Sequence, residues 1–344
     1  MPPRIGFAYN EKPETEEEPP GSPRPLGDRY AEWDDPSTIA AVEAALAVAG
    51  EVVRLEADES FPQRLRETRP HIVFNIAEGL HGPNREAHVP AICEYYDIPY
   101  TGSDPLTLGL ALDKRRAKDV LLAAGVPAPT GVVVHEPGER QEALRVPVPA
   151  MVKPLFEGSS KGIPESALCD SPDDVLARVD RVLDEYGQPA LVETFLPGRE
   201  FTCAILGTGA GARALPLVEI RFDALPAGAR PIYGYEAKWV WDRPEQPLQI
   251  FRCPAEVPPE LGGWVVDTAL AAHRALGCRD WSRVDLRLDD GGVPHVLELN
   301  PLPGVLPDPE QNSCFPKAAR AAGLDYGAMI RAVLEAGLAR YGLR

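Results

Sequence analysis

Residues 282–304 read Ser-Arg283-Val-Asp285-Leu-Arg-Leu-Asp-Asp-Gly-Gly-Val-Pro-His-Val-Leu-Glu298-Leu-Asn300-Pro-Leu-Pro-Gly304. Two apolar runs, Ser282–Leu288 and His295–Asn300, flank Asp289–Gly292, which has the composition of a hairpin turn. Alternation along a strand places Arg283 and Asp285 on one face, and Glu298 and Asn300 likewise. Paired as a hairpin, the two strands bring two carboxylates, an amide and a guanidinium into one patch. Oxygen ligands of this kind suit Mg²⁺, which takes one or two carboxylates and fills its shell with nucleotide phosphates. Leu286, Leu288, Val296, Leu297 and Leu299 make this a core hairpin, where unpaired acids are costly. A metal site is therefore favoured over a solvated ion pair.

Upstream, Lys153-Pro-Leu-Phe-Glu157-Gly158-Ser159-Ser160-Lys161-Gly162 is a strand that ends in Lys and runs into a loop of small residues. Such a loop can fold over phosphate oxygens, because glycine lets the backbone approach and free amides carry partial positive charge. It is not a Walker loop, and a flexible surface hairpin is the competing reading. Between these clusters, Leu191-Val-Glu193-Thr-Phe-Leu196-Pro-Gly-Arg-Glu200 joins two strands and carries two acids, a weak signal for adenine and ribose recognition. By contrast, Gly207-Thr-Gly209-Ala-Gly211 lies between two strands with no helix after it, so it reads as a turn and not a dinucleotide fingerprint.

The 344 residues suggest two or three units. With 52 Asp and Glu against 35 Lys and Arg, the formal charge is −17. That excess argues against a nucleic acid or an anionic membrane as partner. Only seven of the basic residues are lysines (12, 114, 118, 153, 161, 238 and 317), so a retained Lys reads either as a place where a compact ammonium is needed or, the default for any single one, as a random survivor of composition drift. No apolar run is long enough for a membrane helix, and the first residues lack a hydrophobic signal core. Six scattered cysteines read as reduced and mostly buried thiols of a cytoplasmic protein, and the histidines show no zinc-like spacing with them.

The order of elements is that of an α/β chain. Strands are expected at Ile5–Tyr9, Glu51–Glu56 and Ile72–Ile76, with helices after Pro36 and near Ala87–Tyr96. One helix is expected over Pro105–Ala124. Strands Val132–His135 and Ala150–Lys153, a helix Asp173–Tyr186, strands Ala190–Glu193, Phe201–Leu206 and Ala214–Ile220, a helix Pro259–Leu276 and two terminal helices follow. The Glu- and Pro-rich tract 10–30 reads as disordered or as a mobile cover.

Taken together the clusters resemble the ATP-grasp superfamily, and most closely its D-alanine–D-alanine ligase family, of which this chain looks like a divergent member. The likeness spans about Pro70 to Asp325 and rests on Leu80-His81-Gly82, Ile98–Ser103, Leu112-Asp-Lys114, the 153–162 loop, Glu193–Thr202, Tyr235-Glu-Ala-Lys238, Arg283-Val-Asp285, Glu298–Gly304 and a run beginning at Ser313. It implies an ATP-grasp fold, α+β in its ATP-binding part, behind an amino-terminal Rossmann-like domain. The implied division is 1–104 for the substrate domain, 105–192 for the central lobe and 193–344 for the lobe with the Mg²⁺ and catalytic residues. The implied activity is an ADP-forming peptide synthase acting on small amino-acid substrates through an acyl phosphate. Lys114 and Lys153 would hold the α- and β-phosphates, and Lys238 the γ-phosphate. Ser159, Ser160 and Gly162 would close over them. Glu193 and Leu196 would contact adenine and Glu200 the ribose. Asp285, Glu298 and Asn300 would bind two Mg²⁺ ions, with Mn²⁺ able to replace them. Arg283 and the Gly304 amide would stabilise the tetrahedral intermediate, Ser313 would hold the second substrate's carboxylate, and Glu32 the first substrate's ammonium. His81 and Trp239 would face substrate. A homodimer is a candidate assembly.

Four departures fall around the amino-acid pockets. The acidic tract 10–30 replaces a glycine-rich turn, and Pro83-Asn-Arg85-Glu86-Ala replaces a Gly-Glu-Asp-Gly run. Trp239 stands where the family has Tyr, and Val305–Asn312 is lengthened. The ATP and metal residues are kept, which implies a changed or broadened donor and acceptor. A catalytically silent nucleotide-binding protein and a ligase acting on a peptide terminus remain alternatives. Lys161 reads as a solvated loop tip, His81 as either a core or a substrate residue, and Arg85 and His88 as either substrate contacts or surface.

Overall fold

The apolar run near the amino end forms the middle strand of a three-stranded parallel sheet, with β1 (Arg4–Tyr9) between β2 (Glu51–Glu56) and β3 (Ile72–Asn75). In this computed structural model residues 3–13, 30–242 and 248–343 are described. Most of the acidic tract therefore lies outside the described residues. Its flanks are pinned together: Asp34 N donates to Asn10 O at 3.0 Å and Lys12 N to Asp34 O at 2.9 Å. Pro36 opens α1 (Pro36–Ala47), where the missing N–H of proline has no cost. Helix α2 (Phe61–Thr68) has no counterpart in the sequence reading, because only Phe61 and Leu65 of its eight residues are buried. Helix α3 (His88–Tyr95) follows β3 and a short turn over Arg85–Ala87.

The expected helix 105–124 is two helices, α4 (Pro105–Leu112) and α5 (Lys114–Ala123). Asp113 between them is extended (φ −81°, ψ 93°), and its carboxylate accepts from Arg115 N and Arg116 N. This cap leaves the apolar spacing intact, so the break has no periodic signature. It also makes Lys114 the first residue of α5.

The central sheet has the order β4 (Gly131–Val134), β7 (Ala190–Thr194), β5 (Ala150–Pro154), β6 (Leu168–Cys169), all antiparallel. Helix α6 (Pro172–Tyr186) covers it with Val175, Val179 and Val182. Ser171 caps α6, and Gly187 ends it in the left-handed conformation (φ 58°).

The third sheet runs β11 (Phe251–Arg252), β10 (Val218–Ile220), β8 (Glu200–Leu206), β12 (Trp281–Leu288), β13 (Pro294–Asn300), with β9 (Arg213–Ala214) also on β8. The single strand expected over 214–220 is thus split by Leu215-Pro-Leu217, since Pro216 cannot donate to a ladder. The glycine run 207–211 is the turn from β8 to β9, as its sequence setting implies. Helix α7 (Pro259–Ala275) packs Val265, Ala269 and Ala272 on one face. Helices α8 (Cys314–Ala321) and α9 (Tyr326–Arg340) return to the first sheet, joining Phe315, Met329 and Val333 to Ile39, Phe7 and Phe74 in one core.

Candidate active site

The hairpin of β12 and β13 pairs Arg283 with Asn300 and Asp285 with Glu298, so the four side chains share a face as their alternation requires. After Asp285 the register slips: Leu286 pairs with Val296, leaving Leu297 as the extra residue of a bulge. Leu297, expected in the core, is half-buried and lines the cavity beside this face.

All three sequence clusters meet at that cavity, about 280 Å³, whose walls include Lys153, Lys238, Arg283, Asp285, Glu298 and Asn300. Leu196, Glu200, Gly304, Ser313 and Trp239 also line it. Buried Lys114 bonds Glu298 Oε1 at 3.0 Å and donates to the Glu157 carbonyl. Glu193, 2% exposed, bridges two ammonium groups: Lys153 at 2.6 Å and Lys118. Burial by itself would raise the Glu193 carboxyl, but Lys118 and Lys153 outweigh it and hold the group at about 2. Lys118 carried no assignment in the sequence reading; its membership of the small lysine set was its only signal.

Lys238 sits on a π-helical turn, Glu236–Trp241. Burial, and then the neighbouring Arg283 charge, lower its ammonium to about 8. Among the described residues no carboxylate lies within ion-pair distance of it, so it is a half-buried cation placed to meet an anion. Arg283 donates from Nε and a terminal nitrogen to Asp285 at 3.0 and 2.9 Å, and Asn300 donates to Asp285 at 3.2 Å. At the other end, Arg287 bonds Glu200 at 3.0 Å between the rings of Phe195 and Phe222, each 4.7 Å away. Arg287 too was missed, for its role depends on rings that are far away in sequence.

Among the described residues no three His, Cys, Asp or Glu side chains are arranged to hold a metal. The Asp285, Glu298 and Asn300 set is of hard oxygen donors and needs further ligands. It fits Mg²⁺ that arrives with phosphates.

In the loop after β5, Ser159, Ser160 and Gly162 have φ of 51°, 60° and 67°. Two consecutive serines in this region store strain of about 1 kcal/mol or more each, which the surroundings must hold. Ser160 Oγ donates to Tyr233 O at 3.0 Å, and Trp239 Nε1 donates to Ser159 O at 3.2 Å. The amides of Ser159, Ser160 and Gly162 make no hydrogen bond among the described residues, and Ser159 and Ser160 line the cavity, where free backbone donors suit an anion. A Cβ at Gly162 would lie 2.4 Å from the Pro154 ring, so only glycine fits.

Lys161 is not a solvated loop tip. It is 5% exposed and bonds Glu32 at 2.8 Å and Glu157 at 2.6 Å. Arg85 is also buried, bonding Glu32 at 2.8 Å and the Phe156 carbonyl at 2.9 Å. Gly158 N donates to Glu32 at 2.9 Å. Glu32 therefore ties the loop to the amino-terminal sheet, and Lys161 and Arg85 overcome burial to hold its carboxyl at about 2. His81 is exposed and lines an adjoining cavity of about 510 Å³, so it is no core histidine; His88 is exposed.

Three further acids, Asp34, Glu78 and Glu86, line the main cavity beyond Glu32. Burial, with repulsion from Asp35, pushes Asp34 up to about 7. Burial pushes Glu86 up to about 7 as well, with Glu32 adding repulsion against the pull of Arg85. The folded chain thus holds the Glu86 proton more tightly than the unfolded chain does, and stability falls as pH rises from about 4 to about 7. Glu86→Gln should stabilise the free protein at pH 8 by on the order of 2–3 kcal/mol and have little effect at pH 4. Denaturant unfolding at the two pH values measures this; an equal effect at both contradicts it.

Comparison with known proteins accords with this geometry. The family described as "D-ala D-ala ligase C-terminus" matches residues 124–335. The D-alanine–D-alanine ligase of Methylobacterium radiotolerans is 36% identical over 83% of this chain and 86% of its own length. The chain belongs to the D-alanine–D-alanine ligase family. An uncharacterized protein of Sinorhizobium fredii, y4sG, is 36% identical over 90% of both chains. Among solved structures, the Bacillus anthracis D-alanine–D-alanine ligase complexed with ATP superposes with a TM-score of 0.73 at 24% identity, covering 99% of both chains. The fold is therefore the ATP-grasp fold of this family. No helix among the described residues is long and apolar enough to cross a membrane, and all six cysteines are free.

Proposed function

We propose that the protein is an ADP-forming carboxylate–amine ligase that makes a peptide bond between amino acids through an acyl phosphate. Its place in an ATP-dependent ligase family supports the class. The observation that carries the reading is Arg283, in one cavity with Lys238 and the Asp285–Glu298–Asn300 wall. Binding a nucleotide needs lysines and a metal face; a guanidinium beside them serves a developing oxyanion.

A donor carboxylate has a poor leaving group and must be activated. Lys114 and Lys153 hold the α- and β-phosphates, and Lys238 meets the γ-phosphate as it moves to the donor oxygen. Bound at Asp285, Glu298 and Asn300, two Mg²⁺ ions would neutralise phosphate charge. Glu193 and Leu196 face adenine and Glu200 the ribose. Ser159, Ser160 and Gly162 give amides to the phosphates, and the loop, tied down by Glu32, keeps water from the acyl phosphate. Ser313 orients the acceptor's carboxylate, while Arg283 and the Gly304 amide receive the oxyanion as the amine attacks. His81 and Trp239 border the amino-acid sites. The lobes 1–104, 105–192 and 193–344 supply the donor side, the phosphate loop and the metal face.

The test is phosphate release across a panel of amino-acid pairs with ATP and Mg²⁺. Release should depend on both members of one pair. A panel with no pair above the ATP-only background would end the ligase reading.

A further inference from the structure

At the carboxyl ends of β1 and β3, where open parallel sheets hold their ligands, the cavity carries more carboxyl groups than the protein has cations to pair with them. Asp34 precedes α1, Glu78 follows β3, and Glu86 lies on the turn before α3. The cations that act on them, Arg85 and Lys114, are spent on Glu32 and Glu298. Glu86 is 9% exposed and faces the cavity, and among the described residues its carboxylate has neither a hydrogen bond nor an ion pair. Its oxygens open onto the cavity and no protein group competes for them, so a cation that enters finds a charge-assisted partner there. The acids are not arranged for a metal ion, so the missing partner is an organic cation.

We infer that this end of the cavity binds the donor substrate, and that the donor is a dibasic amino acid, with a second ammonium or guanidinium besides its α-ammonium. The inference rests on the ligase reading for the word donor. Glu32, the acid the family likeness assigns to the first ammonium, already has Arg85, Lys161 and the Gly158 amide as partners. The α-ammonium then falls to the neighbouring acids. One ammonium uses one carboxylate, and three face the cavity. Glu86 lies towards Lys114 and Glu298, the phosphate side, so a cation held there leaves its own carboxylate within reach of the transferred group. Repulsion among Glu78, Glu86 and Asp34 in the free protein agrees with a site that lacks its cation.

The experiment is calorimetric binding of ornithine and of norvaline, the same skeleton without the side-chain amine, to the full-length protein with Mg²⁺ and ADP. Both enantiomers are used. Ornithine should bind at least about tenfold more tightly than norvaline. Glu78→Gln should remove most of that difference while leaving norvaline binding unchanged, and Glu86→Gln, which takes away the partner of the α-ammonium, should weaken both ligands, with unfolding curves confirming that the variants fold. Equal affinity for the two ligands, no binding of ornithine, or ornithine affinity indifferent to both substitutions overturns the inference. Tight, Glu86-dependent ornithine binding without ADP formation for any acceptor supports the site and defeats the ligase reading instead.

Discussion

Arg283→Ala should lower kcat/KM by about a thousandfold while ADP affinity changes little, as expected for a donor aimed at charge that develops only in the transition state. The guanidinium is fixed by two bonds to Asp285, so it is oriented before substrate arrives. Arg283→Lys keeps the charge but loses the planar fork, and should recover only part of the rate. Phosphate release gives kcat/KM, and calorimetry gives ADP binding. Loss of ADP binding in step with activity would make Arg283 a nucleotide ligand. Unchanged activity would support a silent nucleotide-binding protein.

The largest effect on stability is expected at Glu193. With Glu193→Gln, Lys118 and Lys153 keep their buried ammonium groups and lose the carboxylate between them. Removing one partner of a buried ion pair costs about 3–5 kcal/mol, because the remaining charge is uncompensated. Adding Lys118→Met should return part of the loss, which a double-mutant cycle measures. The sign with pH is fixed. Glu193 is held at about 2, below its value in an unfolded chain, so its contribution is complete above about pH 4.3 and fades as pH falls toward 2. The difference between wild type and Glu193→Gln should therefore shrink in acid. A constant difference from pH 6 to pH 3 would contradict the assignment.

The shared face of Arg283, Asp285, Glu298 and Asn300 was legible in the sequence because it needs only local information: period-two alternation, a turn of Asp and Gly, and the Arg-x-Asp and Glu-x-Asn spacings fix which side chains share a face. The loop after β5 was legible in outline from its small residues. Its closure was not. Lys161 and Glu32 are 129 residues apart, and nothing local distinguishes a buried loop lysine from a solvated one. Arg85 escaped for the same reason. The break at Asp113 was hidden because a capping side chain and an uninterrupted apolar stripe coexist there. The acids Asp34, Glu78 and Glu86 acquire meaning only when the sheet brings their three segments to one end of the cavity.

The most direct test of the central claim follows the donor's own oxygen. The phosphate-releasing substrate pair is run with ¹⁸O in the donor carboxylate, and the phosphate is analysed by mass spectrometry. A route through an acyl phosphate moves one carboxylate oxygen into phosphate, so each phosphate formed should carry one label. Unlabelled phosphate, with ADP formed at the same rate, would mean that water and not the donor takes the phosphoryl group.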